Sequence, residues 1–224
     1  VTEIDHAAER LIIAGVHDRF PDHGVVSEEA GAKAGTSAWT WLVDPLDGTN
    51  NFAIGLPLYG LSIVLIRETR PALAVVRDSH LGRQLTVTEG GLVRKSGSLR
   101  LQEPSTTALA TVALQQGYAV ERGDITLARI RNSMESAFRR VLYTWSPSID
   151  VLLLASGLIG GILGYRCTGP EHLAARFVAD RIGHEVLTDP AAGGMSSTYS
   201  YIIGWPPVVE ILAGILPGLR RGGQ

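Results

Sequence analysis

The chain has 224 residues, of which 45% are hydrophobic and 19% charged, enough apolar material for one large domain or two small ones sharing a core, and too much for global disorder. Twenty basic against twenty-two acidic side chains give a formal net charge of -2, so no overall field draws in a nucleic acid polymer or an anionic membrane. A partner has to be recognised locally.

A single cysteine, Cys167, excludes an internal disulfide, and with no paired-Cys or His-x-x-x-His spacing it also argues against zinc and for a reducing, cytoplasmic setting. The apolar stretches 149–163 and 208–216 are shorter than the roughly 20 residues of a spanning helix. No charged-then-apolar leader opens these residues, so no secretory signal is visible in them, and no membrane partner is expected.

In chain order, Ile4, Ala7, Ala8, Leu11, Ile12 and Val16 recur at spacings of three and four and predict an amphipathic helix ending near Phe20-Pro21. Val25 to Ser27 predicts a short strand, Ala30 to Ser37 a mobile Gly-rich loop, and Trp39 to Val43 a strand that stops at Asp44-Pro45. Tyr59 to Arg67, Pro71 to Asp78 and Gln84 to Glu89 predict further strands of an antiparallel sheet. Beyond them Ile125 to Phe138 and Ser148 to Leu158 read as helices around a strand-like Arg139 to Tyr143. A helix at Glu171 to Ile182, strands at Glu185 to Thr188 and Ser200 to Gly204, and a closing helix at Pro207 to Leu219 follow, with Arg220 to Gln224 expected to fray. The change of texture puts a subdomain boundary near Pro147, dividing residues 1–146 from 147–224.

The chemistry is concentrated in Trp41-Leu42-Val43-Asp44-Pro45-Leu46-Asp47-Gly48-Thr49-Asn50-Asn51-Phe52, an apolar strand running into two carboxylates. Pro45 fixes its own φ and biases Asp44 toward an extended backbone, so both acids can be held at one turn. Two carboxylates about 4 Å apart repel by roughly 4 kcal/mol at an effective dielectric near 20. Held close, they require a shared proton or a cation, and oxygen-only ligands suit Mg²⁺. Gly48 allows close approach of a ligand to the backbone, and Thr49 or Asn50 is placed to cap a following helix whose N–H groups would seat a phosphate. The plainer reading of Asp-Gly-Thr-Asn alone is a turn with an Asx cap.

The twelve-residue run resembles the first signature of the inositol monophosphatase-like family of metal-dependent sugar phosphatases, Trp-x-Val/Ile-Asp-Pro-Leu/Ile-Asp-Gly-Thr-x-Asn-Phe. Upstream, Val1-Thr2-Glu3-Ile4-Asp5 resembles the family's Val-Thr-x-x-Asp, and Phe20-Pro21-Asp22-His23 with Glu28-Glu29 resembles its Phe-Pro-x-His-x-x-x-x-Glu-Glu. Relatives usually carry a helix and a lysine before the Val-Thr motif, so the resemblance implies a missing N-terminal helix. It also implies an α/β (α+β) layered αβαβα sandwich of the inositol monophosphatase/fructose-1,6-bisphosphatase type, a homodimer, and Mg²⁺-dependent hydrolysis of a small phosphorylated sugar, cyclitol, nucleotide or amino alcohol. Two or three Mg²⁺ ions are implied, with Li⁺ as an inhibitor.

Carried over by position, the resemblance makes Glu28, Asp44 and Asp47 metal carboxylates, Glu28 also part of the catalytic set, and the Leu46 carbonyl a backbone ligand. Thr49 with Asp5 would activate the attacking water; Gly48 and Thr49 amides, with Asn50 and Ser146, would engage the substrate. Glu29 would be a solvated neighbour. The family's second signature, Trp-Asp-x-Ala-Ala/Gly, is altered here to Pro170-Glu171-His172-Leu173-Ala174-Ala175. Ungapped spacing puts Glu171 at the metal-binding acid, alignment of the Ala pairs puts His172 there, and the hardness of the cation favours Glu171. Trp145-Ser146-Pro147-Ser148 and Gly164 replace groups that face substrate hydroxyls in inositol-selective relatives, so the polyol pocket is expected to be rebuilt. Trp145 reads either as a core aromatic, the commoner fate of a tryptophan, or as a ring that stacks on a nucleobase. Against the enzyme stands a non-catalytic descendant that binds a phosphorylated ligand or a protein partner. An aspartyl-nucleophile phosphatase fits less well, since its usual Asp-x-Asp has one residue between the acids and this chain has two.

Overall fold

The structure is a computed structural model that describes residues 3–28, 30–91, 93–189 and 198–221. The helix predicted at the start is α1 (Glu3–Arg19), with Glu3 and Asp5 in its first turn and His17 and Arg19 in its last, as the helix dipole favours. It is followed by β1 (Gly24–Ser27), β2 (Gly31–Lys33), β3 (Trp39–Asp47), α2 (Thr49–Ala53), β4 (Gly60–Arg67), β5 (Arg70–Asp78), β6 (Gln84–Thr88) and β7 (Val93–Ser96). These strands form one seven-stranded sheet in the order β2-β1-β3-β4-β5-β6-β7, antiparallel except for the β1–β3 pair.

Two departures from the sequence reading lie here. The segment read as a loop contributes β2, an exposed edge strand held by backbone contacts: Thr36 and Ser37 N–H groups donate to the Asp22 carbonyl at 2.9 and 3.0 Å. Such pairing leaves no side-chain period to read. Strand β3 does not stop at Asp44-Pro45 but runs to Asp47. Asp44 pairs with Ser62 and Asp47 with Gly60, so Pro45 and Leu46 stand opposite Leu61 alone. That bulge accommodates a residue with no N–H to donate.

The chain then forms α3 (Thr106–Leu109), β8 (Thr111–Gln116), α4 (Ile125–Ala137), β9 (Arg140–Leu142), α5 (Pro147–Ala155), β10 (Gly161–Cys167), α6 (Pro170–Arg181), β11 (Glu185–Thr188), β12 (Tyr199–Gly204), α7 (Pro206–Ile215) and β13 (Arg220–Arg221). The second sheet has six strands in the order β13-β11-β12-β10-β8-β9 and is mixed, with β8 parallel to both neighbours. Passage from one sheet to the other occurs between β7 and β8. Strand β10 is buried on both faces except at Arg166, so it carries no alternation and was not legible as a strand. The closing helix ends at Ile215, and Arg220 and Arg221 pair with β11 instead of fraying, Arg221 Nη2 lying 2.8 Å from Glu185 Oε1. Residues 222–224 lie outside the described residues.

Five layers result. Helix α1 covers the outer face of the first sheet through Val16 against Val25 and Val43. Helices α5 and α6 fill the space between the sheets, with Val151, Leu152 and Leu154 and Ala174, Ala175 and Val178 packed against Leu42, Val64 and Val76 on one side and Ile162, Tyr201 and Ile203 on the other. Helices α4 and α7 close the far face through Leu127, Ile130, Met134, Val208 and Leu212. The expected αβαβα sandwich is the fold. Among the described residues no helix is long and apolar enough to cross a membrane.

Gly164 sits under the Tyr201 ring, where an added Cβ would meet Tyr201 Cε1 at 2.3 Å. Gly164→Ala should therefore lower stability by about 1–3 kcal/mol, the usual scale of overpacking. The check is urea unfolding, with an unchanged midpoint as the contrary result.

Candidate active site

The bulge in β3 presents Asp44, Leu46 and Asp47 at the strand's end, and the chain then turns through Gly48. Gly48 has φ 86°, and a Cβ there would meet the Leu58 carbonyl oxygen at 2.8 Å, so this position requires glycine. Gly48, not Thr49 or Asn50, is the N-cap of α2. Thr49 in the first turn directs its hydroxyl to the Leu46 carbonyl (2.9 Å) and to Asp5 Oδ1 (3.2 Å). Asp5 is buried, so the first helix contributes this carboxyl to the site and not to its wet face.

Asp47 is tied to the second half of the chain. Its Oδ2 accepts from Ser146 Oγ at 3.0 Å and from the Ser148 N–H at 2.6 Å. Ser146 is fully buried and holds Asp47 from behind, while Asn50 is exposed and away from the cleft; the structure does not bring these two to the substrate side. Asn51 instead makes the link: its Nδ2 donates to the carbonyls of Leu58 at 2.7 Å and Thr144 at 2.6 Å.

Glu171 occupies the first turn of α6. Its carboxylate folds back over Gly169, where a Cβ would stand 2.4 Å from Oε2, and Gly169 has φ 107°. His172 is turned inward: Nδ1 lies 3.1 Å from Gln115 Oε1 and 2.9 Å from the Tyr201 hydroxyl, and Nε2 is 3.4 Å from Glu171 Oε1. Burial, then the Arg176 charge, pushes His172 down to about 3, so the ring is neutral. Behind it the Tyr201 hydroxyl bonds Gln115 Oε1, Gln115 Nε2 donates to Asp150 Oδ2 at 2.8 Å, and Thr144 Oγ1 donates to Asp150 Oδ1 at 2.8 Å.

Glu28, Asp44, Leu46, Asp47, Gly48, Thr49 and Glu171 line one cleft, together with His172. Burial and then the charges of Asp47, Glu171 and Glu28 push Asp44 well above the usual carboxylate range, against one N–H bond from Leu46. Asp47 is pushed up to about 6 by burial, which its bonds from Ser148 and Ser146 partly offset. Glu171 is raised by burial and by the Asp47 charge. Among the described residues no lysine or arginine pairs with Asp44, Asp47 or Glu171. Nor, among them, do three His, Cys, Asp or Glu side chains close into a ready-formed metal cluster, Asp47 being engaged by Ser146 and Ser148. The donor set nevertheless fits a hard cation: the carboxylates of Glu28, Asp44, Asp47 and Glu171 face one cleft with a carbonyl at Leu46, and among the described residues Asp44, Asp47 and Glu171 have no lysine or arginine partner.

Several supporting residues escaped the sequence reading. Glu9 is buried on α1, and its Oε1 accepts from Ser27 Oγ and, at 2.9 Å, from the Ala30 N–H, bracing the backbone on both sides of Glu28. Its signal was available: Glu9 lies four residues after Asp5, on the same helix face. Gln115, Asp150 and Tyr201 had no local signal, since their strands and helix read only as apolar. Gly164 is buried under Tyr201, not in the cleft wall. Val1, Thr2 and Glu29 of the family motifs lie outside the described residues.

A five-layered sandwich with buried carboxylates at a strand end is the architecture of the metal-dependent sugar phosphatase superfamily. The profile of the inositol monophosphatase family matches residues 1–188, and the chain belongs to that family. It is 30% identical over 227 residues to the Nus factor SuhB of Pasteurella multocida strain Pm70, covering 98% of this chain and 83% of that protein. Among solved structures it resembles the extragenic suppressor protein SuhB of Bartonella henselae (TM-score 0.82, 20% identity, 97% and 86% of the two chains). It also resembles an IMPase of Thermotoga maritima (TM-score 0.76, 26% identity, 96% and 84%). An IMPase/NADP phosphatase complexed with Mg²⁺ and phosphate shares the fold (TM-score 0.74, 19% identity, 100% and 85%).

Burial pushes Asp150 up to about 7 despite its bonds from Gln115 and Thr144. The unfolded chain gives up this proton near pH 4 and the folded one near 7, so Asp150's contribution is complete below about pH 4 and is lost as pH rises through about 7. Asp150→Asn, which has no proton to lose, should remove a part of the fall in stability across that window amounting to a few kcal/mol in order of magnitude. Unfolding free energies of both forms from about pH 4 to 8 check this; parallel curves would contradict it.

Proposed function

We propose that the protein is a Mg²⁺-dependent phosphomonoesterase acting on a small phosphorylated sugar, cyclitol, nucleotide or amino alcohol. The observation that carries the reading is the convergence of Asp44, Asp47, Glu28 and Glu171 on one cleft, with Asp44, Asp47 and Glu171 pushed upward in pKa. Glu28, Asp44, Asp47, Glu171 and the Leu46 carbonyl would hold two or three ions, which supply charge neutralisation of the phosphate and of the leaving oxygen. Thr49 and Asp5, 3.2 Å apart, hold the attacking water and take its proton. The N–H groups of Gly48 and Thr49 stand at the start of α2, where no carbonyl of the helix reaches them, and seat the phosphate oxygens. Glu171 is preferred to His172 as the donor from α6, since the histidine nitrogens are already directed to Gln115, Tyr201 and Glu171.

The relatives named Nus factor favour a second reading, a family member that binds a phosphorylated ligand or protein partner without turning it over. The expectation that no nucleic acid polymer binds rests on the net charge and gains no support from that name. A cytoplasmic homodimer remains part of the proposal.

Phosphate release over a panel of metabolite phosphates should require Mg²⁺, fall with Li⁺, and be supported poorly by Ca²⁺; full activity after exhaustive chelation would remove the metal, and no release from any ester would favour the binder. Thr49→Ala should lower kcat by about 10²-fold, with Asp5→Asn acting on the same step and the double variant less than multiplicative.

Glu171→Ala should raise the Mg²⁺ concentration for half-maximal activity by about 10-fold or more, with Glu171→Asp far milder. A silent Glu171→Ala beside a damaging His172→Ala would reverse the assignment.

A further inference from the structure

The cleft's mouth has an aromatic rim that the phosphate chemistry leaves unused. Tyr118, Tyr143 and Trp145 line the same cleft as Asp44 and Asp47 and are 79%, 39% and 48% exposed. Three aromatic side chains grouped at one rim form an apolar patch, and such a patch marks a binding surface where scattered single residues do not. The other tryptophans have ring or cation partners: Trp39 lies under Arg67 and beside His23, Trp41 packs with Phe20 and His23, and Trp205 meets His184 edge-on. Among the described residues Trp145 has no ring or cation partner.

The backbone at Trp145 is left-handed, with φ 55°. A bulky residue there costs of order 1–3 kcal/mol, which only fixed surroundings sustain. Both neighbours are fixed: the Thr144 carbonyl accepts from Asn51, and Ser146 is fully buried on Asp47. The strain therefore aims an exposed indole from the same loop that holds a catalytic carboxylate. Tyr143 is steadied from outside, its hydroxyl donating to Glu135 Oε1 at 2.9 Å with the Arg131 guanidinium 5.7 Å from its ring centre.

Two glutamines at the mouth have carbonyls that are already engaged. Gln115 spends its amide on Asp150 and its carbonyl on Tyr201 and His172, and Gln116 Oε1 accepts from Arg131. What the mouth offers a ligand is π surface. Resting on the phosphomonoesterase reading, we propose that the ester this cleft selects carries a flat aromatic ring of nucleobase type, stacked on Trp145 and flanked by Tyr118 and Tyr143.

Adenosine 5′-monophosphate and ribose 5-phosphate share a sugar phosphate and differ by the ring. In Mg²⁺, kcat/KM should favour the nucleotide by about 10-fold or more, a scale in keeping with base–aromatic stacking. Trp145→Ala should lower the nucleotide value by about 10-fold and the ribose ester far less, Trp145→Phe should restore most of the difference, and Tyr118→Ala should remove part of it. Equal values for the two esters, or equal losses in Trp145→Ala, would overturn the proposal. Equilibrium binding of the same two compounds, measured by titration calorimetry, separates this inference from the reading beneath it. If neither ester is hydrolysed, tighter binding of the nucleotide that is lost in Trp145→Ala still supports the ring, and equal binding refutes it.

Discussion

The mutual repulsion of carboxylates removed from water is the constraint around which this molecule is arranged. Asp44, Asp47 and Glu171 are all pushed toward the protonated form by burial and by neighbouring carboxylates, Glu28 among them, and among the described residues no lysine or arginine relieves them. Leaving them so would be costly in a purely structural role, because hydrophobic residues of like volume are often as stable or more so. The fold meets the demand with fixed dipoles: the Leu46 N–H on Asp44, Ser146 and Ser148 on Asp47, and the backbone N–H of Glu171 on its own carboxylate. These hold the acids in place without neutralising them, which leaves neutralisation to a proton or a cation.

A second polar layer couples the two carboxylate arms. From Asp47 the bonds pass through Ser146 to Thr144, from Thr144 to Asp150, and on to Gln115 and the His172 ring, whose other nitrogen lies 3.4 Å from Glu171 Oε1. The path begins at the end of a strand in the first sheet and ends on a helix packed between the sheets. Relative motion of the sheets would break bonds to groups that water does not reach, and each such loss costs about 1–3 kcal/mol. Rigidity of the site is in this sense a property of the interior, and Tyr201, which closes the path at Gln115 and His172, has room for its ring because position 164 is glycine.

How much of this was legible follows from where the information sits. The run from Trp41 to Phe52 spelled out the strand, the paired acids and the glycine because local geometry and chemistry coincide there. The same residues misled at one point: Pro45 reads as a stop, yet a bulge removes the need for its N–H and carries β3 on to Asp47. Asn51, not Asn50, proved the anchor, since which of two adjacent asparagines faces inward depends on the turn of α2. Strand β10 and the Gln115–Asp150–Tyr201 contacts were invisible because burial on both faces erases periodicity and because partners 35 and 86 residues apart leave no local trace. Glu171 was reachable by spacing alone; that its carboxylate and not the His172 ring faces the other acids depended on how α6 begins over Gly169.

Three helices start at this cleft, and the way each starts bears on what the cleft is for. Helix α2 is entered through Gly48 and α6 through Gly169, both at positive φ, and α5 through Ser146, directly after Trp145, also at positive φ. Helix starts carry unpaired N–H groups and a partial positive charge, which suits both the buried acids and an incoming anion. The sharp turns that deliver them require positive φ, and at two of the three the residue is glycine, which adopts it freely. At the third it is tryptophan, for which the left-handed conformation costs about 1–2 kcal/mol. Packing does not return that cost, because the indole is 48% exposed and has no ring partner among the described residues. The cost is carried by the fixed neighbours, Thr144 on Asn51 and Ser146 on Asp47, and the turn so held keeps the indole beside two tyrosines at the mouth of the cleft, the placement on which the proposed stacking rests.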